Sequence, residues 1–140
     1  MANYYGVTRT NYFRVTDEES YKRLYEGLVS EEFIEDFTYE DKDGNIYHGF
    51  GSYGVIDWID RSLDEYECDF YYFLKELQKI LPDDEAFIFM ESGYEKLRYV
   101  TGVAIVVTNK EIRSNNISNW AIDEARDMLG NPKFQTKLEF

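Results

Sequence analysis

The sequence predicts an α+β fold: an antiparallel or mixed sheet of about four to six strands, with about three helices packed mainly on one face. Three observations predict it. Runs rich in β-branched and aromatic residues recur along the chain, several stretches carry apolar residues at helical spacing, and no Pro/Gly-rich linker or repeat divides them. At 140 residues, with 44 % apolar and 18 % aromatic composition, the chain can bury one core, and a single domain over residues 1–140 is expected.

The elements follow in order. Tyr5 to Val15 reads as a strand from its β-branched and aromatic content. Thr16-Asp17-Glu18-Glu19 has the form of a capping box, and Tyr21, Leu24, Tyr25 and Leu28 then keep the i, i+3, i+4, i+7 spacing of an amphipathic helix. Phe33 to Glu40 predicts a strand with Phe33, Phe37 and Tyr39 on one face. Asp41-Lys42-Asp43-Gly44-Asn45 is turn chemistry, so Ile46 to Phe50 is the returning arm of a hairpin. Residues 51–68 read as irregular and acidic, with a short helical turn at Asp57–Arg61.

Asp69 is placed as the N-cap of a second helix, in which Phe70, Phe73, Leu74, Leu77 and Leu81 have helical spacing and Pro82 marks the stop. Ala86 to Met90 is a short strand and Glu91 to Lys96 a loop turning at Gly93. Val103 to Val107 is the best candidate for a central strand buried on both faces. Glu111 to Ile117 makes an edge strand. Ser118 or Asn119 caps a last helix carrying Trp120, Ala121, Ala125, Met128 and Leu129, ended by Gly130 and Pro132. The predicted order is β-α-β-β-α-β-β-(β)-α, and the predicted core sets Leu24, Phe73, Leu74 and Trp120 against Val103, Ile105 and Val107.

Charge is unevenly distributed. The net charge is −13, yet from Asp17 to Glu95 there are 23 acidic against 6 basic side chains, while both ends carry a small positive balance. An anionic chain of this kind does not bind free nucleic acid or an anionic membrane, both of which require the opposite sign. No apolar run reaches the ~20 residues of a membrane span. The first residues have neither a basic nor an apolar signal region, so no secretory signal is expected, and the single cysteine, Cys68, fits a reducing compartment. The expected location is cytoplasmic, and Asn116-Ile117-Ser118 then has no meaning as a glycosylation acceptor.

Several motifs fail on chemistry. Asp41 to Asn45 opens like a calcium loop, but Ile46 and Ser52 occupy the positions that need glycine and a bidentate glutamate. Gly49, Gly51 and Gly54 match G-x-G-x-x-G, but acidic sequence follows where a phosphate cradle needs a helix N-terminus, so these glycines read as structural. A His48–Cys68 nucleophile pair is disfavoured, because the carboxylates around Cys68 oppose thiolate formation. Carboxylate clusters occur at Glu35/Asp36, Asp57/Asp60 and Asp83/Asp84/Glu85, which as a rule are solvated faces. No catalytic, metal or cofactor site is expected.

What remains is a surface. Glu31, Glu32, Glu35 and Asp36, with Asp57, Asp60, Asp64, Glu65 and Glu67, supply carboxylates, and Trp58, Tyr66, Tyr71 and Tyr72 supply large rigid rings among them. Tyrosines interleaved with carboxylates make good contact surface, since the rings stack on arginine from a partner.

Arg9 to Val15, Gly49 to Gly54, Glu91 to Gly102 and Trp120 to Gly130 together resemble a family of small acidic proteins carried by bacterial phages and mobile elements. The resemblance carries no catalytic motif. It implies context: such proteins include inhibitors of host defence, anti-restriction and anti-CRISPR proteins among them, and some imitate DNA. The expectation is a non-enzymatic protein in the cytoplasm of a bacterial host, inhibiting a nucleic-acid-handling enzyme by offering carboxylates to its basic surface. The alternatives are an α+β interaction or regulatory module without a nucleic-acid connection, and a carboxylate-based metal-dependent hydrolase.

Overall fold

The computed structural model describes residues 4–62 and 69–138. Among the described residues the order is β1 (Tyr5–Thr10), α1 (Glu18–Glu26), β2 (Leu28–Ser30), β3 (Ile34–Asp36), β4 (Tyr39–Glu40), β5 (Ile46–Tyr47), β6 (Phe50–Ser52), β7 (Ile56–Trp58), α2 (Phe70–Gln78), β8 (Phe87–Glu95), β9 (Tyr99–Val107), β10 (Ile112–Asn116) and α3 (Ile117–Leu129). Six strands form one antiparallel sheet in the order β10-β9-β8-β1-β6-β3, and β2–β7 and β4–β5 form two small ribbons. The fold is α+β.

The helices form where local chemistry supports them. Asp17 caps α1 by accepting from the Ser20 amide, Glu18 and Glu19 sit at its positive end, and Tyr21 and Leu24 turn inward. The capping-box assignment is corrected by one residue, because the Thr16 hydroxyl and amide are engaged by the Ile80 carbonyl. Asp69 caps α2 as expected, and Phe73, Leu74 and Leu77 are its buried stripe. Asn116, not Ser118 or Asn119, caps α3, which ends at Gly130 in the left-handed region (φ 62°).

Alternation along the strands gives the sheet two different faces. Phe87 and Phe89 of β8, Thr8 and Thr10 of β1, Phe50 of β6 and Val107 of β9 point to one face and are buried. Phe13, Tyr21, Leu24, Phe73, Leu74 and Leu77 complete the core on that side, with the Phe73 ring 6.1 Å from Phe87 and 6.2 Å from Phe50. α1 and α2 therefore cover this face. α3 lies against β9 and β10, and Ile117 sits over Gly102, whose side of β9 is the other face.

Strand boundaries depart from the sequence reading. β1 ends at Thr10, and Phe13 forms an isolated bridge to His48. The strand expected over Phe33 to Glu40 breaks after Asp36, whose carboxylate caps the Thr38 amide; Phe33 is 81 % exposed. Asp57 and Trp58 belong to a strand paired with Leu28 and Val29, not to a helical turn. The expected loop at Glu91–Lys96 is instead the continuation of β8, and the turn falls at Lys96, with φ 49°. Val103–Val107 lies second from the sheet edge and is covered on one face, since Val106 and Ala104 are exposed on the other. Trp120 is 59 % exposed and outside the core.

Candidate interaction site

The sequence-predicted surface residues divide among several places. Pairing of β2 with β7 sets Val29 opposite Asp57 and Leu28 opposite Trp58. Neighbours on a strand point to opposite sides, so Asp57 and Trp58 part company. Trp58 is buried: its indole N–H donates to the Leu24 carbonyl at 2.8 Å and its ring lies 4.9 Å from Tyr72. It fastens the end of α1 and offers no outer contact surface.

Asp57 instead joins Glu31 and Glu32 around a concavity of about 940 Å³, bordered by Tyr5, Tyr53 and Val55. Among the described residues none of these three carboxylates has a basic side chain within ion-pair distance. Tyr53 stands largely in solvent at this rim, 78 % exposed.

Asp60 and Tyr72 border a separate hollow of about 520 Å³, on the Trp58 side of the ribbon, together with Arg23, Arg61 and Lys79. Asp60 is committed to a turn: the Ser62 hydroxyl and amide both donate to it and hold its carboxyl below the usual range. Tyr71 is exposed, with the Lys75 ammonium 4.9 Å from its ring centre.

Glu35 and Asp36 are split by the same alternation. Glu35 is opposite Gly51, on the face that carries Arg9, whose guanidinium lies 4.9 Å from the Phe37 ring centre. Asp36 is on the covered face and helps raise the pKa of Tyr21 and Tyr25, though burial is the larger cause in both. Among the described residues, the predicted surface carboxylates that share one concavity are Glu31, Glu32 and Asp57. Asp64, Glu65, Tyr66, Glu67 and Cys68 lie outside the described residues.

The rejected motifs have structural roles. Gly51 and Gly54 allow close approach, since a Cβ at Gly51 would meet the Thr8 carbonyl oxygen at 2.7 Å and one at Gly54 the Ser30 hydroxyl at 2.8 Å. Strand β7, not a helix, follows Gly54. His48 is buried with both ring nitrogens engaged, Nε2 by Glu18 at 2.6 Å and Nδ1 by the Thr38 hydroxyl at 3.3 Å. Among the described residues no group of three His, Cys, Asp or Glu side chains is placed to hold a metal ion.

Sequence reasoning missed one feature. The open face of the large sheet carries Tyr5, Val7, Met90, Tyr94 and Val100, all exposed. The signal was present as the period-2 alternation of Met90, Ser92 and Tyr94, but reading Glu91–Lys96 as a loop concealed it.

No described helix is long and apolar enough to cross a membrane. Comparison with family models, with curated proteins and with solved structures finds no match.

Proposed function

We propose that this chain is a non-enzymatic binding protein whose acidic concavity engages a cationic surface on a nucleic-acid-handling enzyme, in the defence-inhibitor context that its resemblance to phage and mobile-element proteins implies. One observation carries the reading: Glu31, Glu32 and Asp57 surround an aromatic-rimmed concavity of about 940 Å³ and, among the described residues, have no basic side chain within ion-pair distance. Like charges held together cost stability that an external cation recovers. Carboxylates would stand where phosphates sit, and Tyr5 and Tyr53 offer ring faces to an incoming arginine. Contacts of this type speed association at low salt and weaken as salt screens them.

The test is capture from bacterial lysate on the immobilised chain at about 50 mM salt, followed by elution at about 500 mM or with duplex DNA. The native chain should retain a basic partner that both treatments release. The triple variant Glu31→Lys, Glu32→Lys, Asp57→Lys should retain none while keeping its circular dichroism spectrum. Equal retention by the triple variant rejects the acidic concavity as the site. A partner released by salt but not by DNA removes the nucleic-acid connection and leaves the plain interaction module.

A further inference from the structure

We infer that the open face of the six-stranded sheet docks a second copy of this chain, face to face, so that two sheets stack between two outer helical layers. Register defines the face row by row. Tyr5, Tyr94 and Val100 form one row; Val7, Ser92 and Gly102 the next; Arg9, Met90 and Ala104 the third. The rings of Tyr5 and Tyr94 and the Met90 side chain flank a lower middle row, whose Gly102 end is covered by Ile117, and Trp120 of α3 stands along that side. Two hollows of about 530 and 700 Å³ meet at Val7 and Ser92, making one shallow trough between two ridges. A two-fold related copy can set its ridge into that trough, as sheets packed face to face interdigitate about 10 Å apart.

Area and charge both select a second copy. Tyr5, Val7, Met90, Tyr94, Val100 and Trp120 are each 43–59 % exposed. At about 200 Å² for a large side chain, they leave roughly 600 Å² of mostly apolar surface, near the ~800 Å² per partner of a stable interface. A monomer has little reason to expose so much in one patch. Among the described residues, the open-face side chains of β8 and β9 are all uncharged, in a protein of net charge −13. The charges at the two ends of the trough are basic, Arg9 and Lys96. Glu91, which also lines it, turns its carboxylate to the covered face, where the Tyr4 hydroxyl donates to it, and Glu35 stands apart at the β3 edge. Another copy of an anionic chain therefore meets its least repulsive approach here, with both α1–α2 layers directed outward.

Sedimentation equilibrium over two decades of concentration, up to about 200 µM, tests this directly. The particle mass should rise to twice that of the chain, and higher salt should preserve or tighten the association, opposite to its effect at the acidic concavity. Acrylamide quenching of Trp120 should fall several-fold as the dimer forms, because Trp58 is already buried. Ala104→Glu and Val100→Lys, both at exposed strand positions, should each restore the monomer with an unchanged circular dichroism spectrum. A monomer at every concentration overturns the inference, as does a dimer that survives both substitutions. A monomer whose Trp120 is shielded by an added amphipathic helical peptide or by neutral phospholipid vesicles overturns it too, and assigns the face to that other occupant.

Discussion

His48 Nε2 lies 2.6 Å from a carboxylate oxygen of Glu18, and the Tyr21 ring, tilted by 34°, has its centre 4.1 Å from that of the imidazole. The pair ties the first turn of α1 to the segment between β5 and β6, which is otherwise held there by the Phe13–His48 bridge. Its role is to seat the helix on the sheet.

Removing the imidazole should therefore destabilise the fold more than removing the carboxylate. Glu18 is half exposed, so water can replace it, and Glu18→Ala is expected to cost about 1 kcal/mol. His48→Ala should cost about 2–3 kcal/mol, since it also leaves space beside Phe13 and Tyr21. Urea denaturation midpoints measure both; two unchanged midpoints would show that the pair does not anchor α1.

Tyr21 makes the alkaline limit of stability testable. Burial pushes its hydroxyl well above the ordinary value of 10.0, with Tyr25, Asp36 and Glu18 acting in the same direction. The folded chain thus holds this proton more tightly than the unfolded chain. Stability from this source is complete below pH 10 and declines as pH rises toward the folded-state value. Among the described residues the Tyr21 hydroxyl is also a buried group with no hydrogen-bond partner. Tyr21→Phe should raise stability by about 1 kcal/mol at neutral pH and flatten the loss above pH 10. Thermal melts at neutral and alkaline pH check both; identical pH dependence in the two proteins would refute the assignment.

Gly93 is needed for close approach. The Tyr4 ring lies across Gly6 and Gly93, with its hydroxyl shared between Glu91 and Thr101 at 3.1 and 2.8 Å. A Cβ at Gly93 would meet that ring and come within 2.5 Å of the Tyr5 carbonyl oxygen. Gly93→Ala should cost about 1–3 kcal/mol, and Gly49→Ala, which meets Tyr12 at 3.2 Å, distinctly less. The reverse ranking in chemical denaturation would contradict the packing of Tyr4.

The centre of the core is Phe87, fully buried between α2 and the sheet. Phe87→Ala should cost about 3–5 kcal/mol, Ile105→Ala less because it is only partly buried, and Trp120→Ala under about 0.5 kcal/mol. Denaturation of the three variants at low protein concentration gives the order, and a large loss from Trp120→Ala would return α3 to the core.

The three helices were legible because their signals are local. Asp69 was read as the cap of α2 and Gly130 as the end of α3, while Asp17 and Asn116, which each accept from the amide three residues on, were passed over for neighbours with the same cap chemistry. The apolar stripes of α1 and α2 also named the residues that became core. The stripe of α3 misled, since Trp120 and Met128 at helical spacing stay exposed and outside the core.

The candidate site was legible as a list of residues and not as an arrangement. Glu31, Glu32 and Asp57 were named among the surface residues, but so were Trp58, which β7 turns inward, and Asp60, which lies beyond β7 in the turn closed by Ser62. Alternation along a strand has no meaning until a partner fixes where the strand begins, and that partner, β2, lies about thirty residues earlier in the chain.

Composition and local pattern established an acidic α+β chain, its helices and the helical part of its core, because helical periodicity and turn chemistry act within a few residues. The tertiary structure alone decided that β8 runs unbroken through Gly93, that Val103–Val107 has one open face, and that three carboxylates gather while others part. Strand pairing joins residues as distant as Tyr5 and Tyr94, and which face of a sheet is covered depends on where the helices come to rest.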